Sequence, residues 1–429
     1  MDIDQSLFYG RLVPVTDTAS LPENVVATSA IEHNTCQRCA TAIQPDWHLA
    51  DGTSYCWSCA NLGRLSTRDV LVTIAEPHVF EIDPEPCVWT GTLTPAQQRV
   101  ADEQIKALEN GNSHLTYAVT GAGKTEMLFP MLAHALQAGK RVAIVSPRVD
   151  VIVELAPRIR AAFVTDFVTL YGDSPDEYRY TQLVLASTHQ LLRFKQAFDV
   201  IVIDEVDAFP YAENAQLIGA LQKATAVHGS HFYLTATPSS RLLREVRRKK
   251  IAISLLPRRF HGNPLPNFTI RRIGDWRKKV PGRLQTLLKM YQQSGQRFLL
   301  FVPSVADLDA VLTMVRHVAS EIAIAATHAS DSERQVKVQA MRDEKLQALI
   351  TTTILERGVT FPGIDVIILG ADDAVFSQAA LIQIAGRCGR SSSRPSGIVT
   401  AFVQERTQTL LAARSEINYL NQMGQTYEV

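Results

Sequence analysis

Short apolar runs alternate with longer segments of helical period, and they do so twice along this chain. The runs "LTYAV", "RVAIVS", "LVLAS", "DVIVID" and "FYLTA" fall between residues 115 and 236. "RFLLFV", "IAIAAT", "ALITTT", "DVIILG" and "GIVTAFV" fall between 297 and 403. Runs this short, apolar at nearly every position, suit strands buried on both faces, and the helical segments between them are the crossovers a parallel sheet requires. The pattern predicts an α/β chain with two tandem parallel-sheet lobes, 92–240 and 284–429. A chain of 429 residues is also too long for one hydrophobic core. The segment between the lobes, 241–283, holds Pro257, Pro264, Pro266 and Pro281 and reads as a basic linker. Ahead of the first lobe, "DPEPCVWTGTLTP" marks a boundary. Residues 66–91 are expected to be a linker, 31–65 a small cysteine-bearing module, and 1–30 an acidic N-terminal segment.

The net charge is zero, but it is unevenly spread. From Arg241 to Arg283 there are 14 Lys/Arg and 2 Asp/Glu, while residues 1–91 carry 12 acids and 4 bases. A local basic stripe can bind an anionic polymer without a global field. Phe260, Phe268 and Trp276 lie among these cations, a mixture that suits stacking on single-stranded nucleic acid. The start, "MDIDQSLFYG", lacks the basic and apolar regions of a signal peptide. No apolar run approaches the ~18 residues of a membrane span. These features lead to the expectation of a cytoplasmic protein, at most peripheral at the inner face of a membrane.

Four of the six cysteines, Cys36, Cys39, Cys56 and Cys59, form C-x2-C-x16-C-x2-C. Each pair can offer two thiolates to one face of a tetrahedral Zn2+, and the spacer returns the second pair to the opposite face. A closed structural zinc site is expected, with His33 and His48 surplus to it. Cys87 and Cys388 are read as free thiols. Loss of Cys36 or Cys59 should loosen 31–65 and leave the nucleotide loop formed.

"YAVTGAGKTEM" follows the first strand of the first lobe and opens a helix. Apart from Ala118 in place of a first glycine, it fits G-x-x-x-x-G-K-[ST], whose glycines turn backbone N–H groups toward phosphate oxygens. Thr120, Gly121, Ala122, Gly123, Lys124 and Thr125 are therefore candidate ATP-binding residues. Lys124 would reach the β/γ-phosphates, and Thr125 would hold Mg2+ together with Asp204. Asp204 and Glu205 end the apolar run of "FDVIVIDEVDAF", and Glu205 is placed to orient or deprotonate water. Gln97 in "LTPAQ" can donate to and accept from an adenine edge. Thr235 and Thr237 in "LTATP" could sense the γ-phosphate.

In order along the chain, LTxxQ, AxxGxGKT, DEVD, TAT, "TTTILERGVT" and "QIAGRCGR" resemble superfamily 2 helicases and translocases, over roughly residues 92–404. That resemblance implies RecA-like lobes, makes Ala118 ordinary, and places Gly358 of "LERGVT" on the nucleotide or DNA side of the second lobe. It aligns Arg148 in "SPR" and His189 in "STHQ" with segments that contact the nucleic-acid backbone. "SPRVDVIVELAPRI", "STHQLLRF", "DEVDAFPY" and the run from Thr351 through Arg390, behind a four-cysteine module, look like the late competence protein ComFA family. The resemblance implies an ATPase stimulated by single-stranded DNA that drives DNA uptake in transformation, with ComFC and the membrane DNA-uptake channel as partners. An RNA or DNA helicase with another role, or a non-catalytic DNA-binding scaffold, are the rival readings. Arg387 and Arg390 of "QIAGRCGR" are expected to be arginine fingers acting in cis on the phosphoryl group, with Gln383 positioning water or phosphate. Gly386 and Gly389 are expected to let the backbone bring both guanidinium groups forward.

Overall fold

A computed structural model describes residues 4–18, 21–390 and 394–426. Near the N-terminus, β1 (Val13–Val15) and β2 (Val26–Ser29) flank β5 (Val70–Thr73) in an antiparallel three-stranded sheet. Between these strands, β3 (Ile31–Glu32) and β4 (Thr35–Cys36) form a small hairpin that carries the first cysteine.

The first lobe runs through α1 (Pro95–Glu109), β6 (Ser113–Ala118), α2 (Lys124–Gln137), β7 (Val142–Ser146), α3 (Val149–Ala162), β8 (Phe167–Leu170), β9 (Leu183–Ser187), β10 (Phe198–Asp204), α4 (Ala215–Ala224), β11 (Thr225–Thr235), α5 (Ser240–Arg247) and β12 (Ile251–Leu256). Its seven strands lie in the order β12-β6-β11-β10-β7-β9-β8. The pairs β10 with β11, β10 with β7 and β6 with β11 are all parallel. Central β10 has neighbours on both edges and helices on both faces, which is why "VIVI" is buried throughout.

The second lobe follows with β13 (Phe268–Arg272), α6 (Gly282–Ser294), β14 (Phe298–Phe301), α7 (Leu308–Val318), β15 (Ile324–Thr327), α8 (Arg334–Arg342), β16 (Ala348–Thr351), β17 (Asp365–Leu369), α9 (Gln378–Ala385), β18 (Val399–Val403) and α10 (Gln408–Thr426). Its six strands, in the order β13-β18-β17-β14-β16-β15, are parallel. By packing, the chain divides into two compact units. One comprises 1–117 with 124–255, and the other 118–123 with 256–429. The tight loop after β6 thus belongs with the second unit.

Two of the three rings expected to stack on nucleic acid do not face solvent. Phe268 and Trp276 are 5% and 7% exposed, and Trp276 packs in the core of the second lobe. The local sequence is cationic, but β13 and the turn after it are half buried, so these rings serve the core and only Phe260, 52% exposed, remains available. Among the cations, Arg241, Arg244, Arg247, Arg248, Lys249 and Lys250 are exposed on and just beyond α5.

The N-terminal sheet is fastened to the first lobe through a buried ion pair. Arg141, just ahead of β7, donates from Nη1 to Glu76 Oε2 at 2.5 Å, and the two side chains are 0% and 3% exposed. Glu76 also accepts from Tyr180, and Arg141 donates to the Tyr9 and Thr181 carbonyls and to Tyr178. Removing one partner leaves a desolvated charge behind. Glu76→Ala is expected to lower the unfolding free energy by about 3–5 kcal/mol, read by urea denaturation, and Glu76→Gln by less. An unchanged midpoint for Glu76→Ala would mean that the pair does not anchor the N-terminal sheet.

Candidate nucleotide and metal sites

The loop from β6 to α2 is built as a phosphate cradle would need. Gly121 and Gly123 take φ of +80° and +76°, conformations in which a side chain is strained, and α2 opens at Lys124. Lys124 and Thr125 are half-buried. Asp204 ends β10, and its Oδ1 accepts the Glu205 N–H at 2.9 Å. Glu205 sits at φ +54°, a left-handed conformation that is uncommon outside glycine and that recurs at functional sites. β6, β11 and β10 are neighbouring parallel strands, and Asp204 and Thr235 lie at the carboxyl ends of β10 and β11, where open α/β sheets receive ligands.

Asp207 is a residue that motif reading passed over. Thr235 Oγ1 donates to its Oδ1 at 2.6 Å, and Thr237 Oγ1 donates to its Oδ2. The two threonines expected to sense phosphate are therefore held by the last acid of "DEVD", 28 and 30 residues earlier. Gln97 also has a local partner. Its Oε1 accepts the Thr94 N–H at 2.9 Å, while Thr94 Oγ1 accepts the Gln97 N–H, a capping box that starts α1. The pattern T-x-x-Q was a legible sign of it. Arg148 stands at the N-cap position of α3 without a capping side-chain bond and pairs with Asp150 at 3.5 Å, and His189 is exposed in the short turn after β9.

In the second unit, the segments around "LERGVT" and "GRCGR" are tied together. Arg387 is buried and donates from Nε to the Glu356 carbonyl at 2.7 Å and from Nη1 to the Val359 carbonyl. Arg390, at φ +61°, donates to the Gly386 carbonyl at 2.8 Å and to Thr360 Oγ1 at 3.4 Å. Gly358 is half-buried at φ +69°, and Gln383 is buried on α9. The same unit contains 118–123, and here Thr120 and Gly386 meet. A Cβ built on Gly386 would lie 1.8 Å from Thr120 Oγ1 and 2.7 Å from its Cβ. Only a residue without a side chain permits that approach.

The four cysteine sulfurs all lie within 4.8 Å of one another, the one such metal-ligand group among the described residues. Three of their separations are 3.5, 3.6 and 3.8 Å. A disulfide would need ~2.0 Å, whereas thiolates 2.3 Å from a central Zn2+ stand about 3.8 Å apart. The donor set therefore fits zinc. His33 and His48 are exposed, and His48 bonds Ser54. Buried Arg38 donates from Nε and Nη2 to Cys59 Sγ at 3.3 and 3.1 Å, which would offset the negative charge of four thiolates around a dication. The module is also part of the first lobe's core. Its cysteines share a cluster with Leu217, Ala220 and Leu221 of α4, Gln216 donates to Thr41 and Ser58, and Lys223 donates to the Gln37 carbonyl at 2.7 Å.

Residues 94–246 match the DEAD/DEAH box helicase domain, and 282–392 match the helicase conserved C-terminal domain. The chain is 40% identical to competence protein ComFA of Bacillus subtilis, over 92% of this chain and 87% of that one. It is 37% identical to competence protein ComFA of Streptococcus pneumoniae, over 90% of each. Its fold is similar to that of the Mycobacterium smegmatis helicase Lhr bound to ssDNA and AMP-PNP, with a TM-score of 0.59, 20% identity and coverage of 78% of this chain and 48% of that one.

Since Gly386 has no room for a methyl group, Gly386→Ala is expected to displace Thr120 and the loop that holds it. Steady-state kcat/KM for ATP should fall at least about tenfold, or ~1.4 kcal/mol, with the far-UV circular dichroism spectrum retained. Parental turnover would show that the two loops need not touch.

Proposed function

The chain belongs to the competence protein ComFA family, and from that membership we propose that it is a translocase driven along single-stranded DNA by ATP hydrolysis. Its DEAD/DEAH and helicase C-terminal domains make it an ATP-dependent, nucleic-acid-binding enzyme of the helicase type, with a role in competence DNA uptake. Those domains imply ATP with Mg2+.

The observation that carries the reading is the seat of "GRCGR" against the loop after β6, inside one packed unit. Gly121, Gly123 and the start of α2 would hold the phosphates, and Lys124 would sit on their outer oxygens. Mg2+, held by Thr125 and Asp204, would neutralise charge on the departing phosphoryl group. Glu205 would orient water. Arg387 and Arg390 would supply cations where negative charge develops, and Gln383 would help position the attacking group. Both arginines are bonded to carbonyl or hydroxyl oxygens of their own unit, and in the proposed cycle those bonds are exchanged for phosphate. DNA would favour hydrolysis by stabilising the arrangement in which that exchange is complete. The exposed cations of α5 are the proposed backbone contacts. Zinc in the four-cysteine site would brace α4. Among the described residues no helix is long and apolar enough to cross a membrane, and the membrane DNA-uptake channel and ComFC are the partners we propose.

Translocation is tested by ATP-dependent displacement of streptavidin from biotinylated single-stranded oligonucleotides. The parent should displace it. Lys124→Ala should fail, and Arg387→Ala and Arg390→Ala should still bind ATP while losing more than about tenfold in turnover. Parental displacement by all three variants would remove the proposed roles.

Purified, reduced protein should contain one zinc per chain by elemental analysis. Because the cysteines share a core with α4, Cys36→Ser or Cys59→Ser should lower thermal stability of the first lobe as well as loosening 31–65. Zinc-free protein with the parental melting temperature would sink both the metal and its bracing role.

A further inference from the structure

Arg259 looks in the sequence like one more cation of the basic stripe. In the structure it is 2% exposed. Its Nη1 donates to the Cys388 carbonyl at 2.9 Å and to the Pro395 carbonyl at 3.4 Å, and its Nη2 donates to the Gly386 carbonyl at 3.3 Å. Its Nε has no hydrogen-bond partner, and no carboxylate lies within ion-pair distance of it among the described residues. The side-chain stem lies over Gly121, where an added Cβ would be 3.6, 3.7 and 3.8 Å from Arg259 Cγ, Cδ and Nε. The backbone on either side follows the same loop: Phe260 donates its N–H to the Gly121 carbonyl at 2.9 Å, and Val119 donates to the Leu256 carbonyl at 3.1 Å.

A buried guanidinium without a counter-charge is costly, and carbonyl oxygens satisfy its donors without neutralising it. Burial draws the Arg259 guanidinium down to about 10, which still leaves it charged at neutral pH. An anion delivered to the neighbouring loop would supply the missing charge. The protein's proposed substrate has such an anion, the triphosphate, and it would sit on the loop that Arg259 covers.

We propose that Arg259 is a positioning residue of the ATPase, a clamp that holds "GRCGR" by the Gly386 and Cys388 carbonyls, with a further bond to the Pro395 carbonyl, against Gly121 and is charge-balanced by nucleotide phosphates. Phosphate on the loop then stabilises Arg259, and Arg259 fixes the backbone that carries Arg387 and Arg390. The clamp acts through those residues and through the loop, and it makes the stability of "GRCGR" depend on the charge of the bound nucleotide. This inference rests on the proposed ATPase activity.

The test compares the full chain with Arg259→Lys and Arg259→Met. Lysine keeps the charge and the stem but loses the planar fork that spans three carbonyls. It should bind a fluorescent ATP analogue within about threefold of the parent while kcat falls more than about tenfold. Methionine keeps the stem without the charge. It should weaken binding most for ATP, less for ADP and least for AMP, because the lost term is phosphate charge. A merely structural arginine would lower affinity for all three nucleotides alike, along with the melting temperature, and that result overturns the proposal. So does a lysine variant with parental kcat. If the parent itself does not hydrolyse ATP, the proposed function fails instead, and the nucleotide-charge series with methionine still reads the clamp separately.

Discussion

Gly386 and Thr120 approach so closely that one added carbon would sit 1.8 Å from the threonine oxygen. Much of the candidate site depends on that contact. It fixes the end of α9 against the loop after β6, and the following residues carry Arg387 and Arg390. A glycine is needed there for closeness rather than for an unusual backbone angle, since Gly386 caps α9 at φ −65°. Arg259 reinforces the contact by bonding the Gly386 carbonyl while lying over Gly121. The loop that would grip phosphate and the loop that would answer it are thus parts of one packed body. A change in either is felt by the other without any long relay.

A second constraint operates in the other unit. The four cysteines are buried, in contact with α4, and beside Arg38 and Lys223. A module that reads in sequence as a separate appendage therefore shares its core with the first lobe. The N-terminal sheet is bound to that lobe by the Arg141–Glu76 pair. Both attachments pair charge with apolar burial, and both put the cost of a lost partner on the lobe itself.

The parts of this protein that were legible in the sequence are those written in short spans. Buried strands repeat apolar residues over four to seven positions, and the alternation of such runs with helices made two parallel sheets readable. C-x2-C pairs and G-x-G-K-T are likewise local, because one metal or one phosphate group must be met by neighbouring atoms. What the sequence hid depends on distant partners. Arg259 was one of 14 cations between 241 and 283, and nothing near it indicates that it is buried against Gly386, Cys388 and Pro395. Phe268 and Trp276 looked available beside so many charges, but β13 pairs with β18 and draws its neighbourhood into the second core. Asp207 holds two threonines that arrive only when β11 pairs with β10. Gln97 reads in sequence as an adenine contact, and the capping box it forms with Thr94 came to light in the structure.

If DNA controls hydrolysis by favouring the exchange that turns Arg387 and Arg390 from their own unit's oxygens to phosphate, then turnover must depend on the polymer that favours that arrangement. The most direct measurement is the steady-state ATPase rate of the full chain with no polymer, single-stranded DNA, duplex DNA and RNA of matched length at fixed salt. Single-stranded DNA should raise kcat by about tenfold or more, with little effect from RNA or duplex. An equal rate under all four conditions, or stimulation by RNA alone, would contradict a single-stranded-DNA motor.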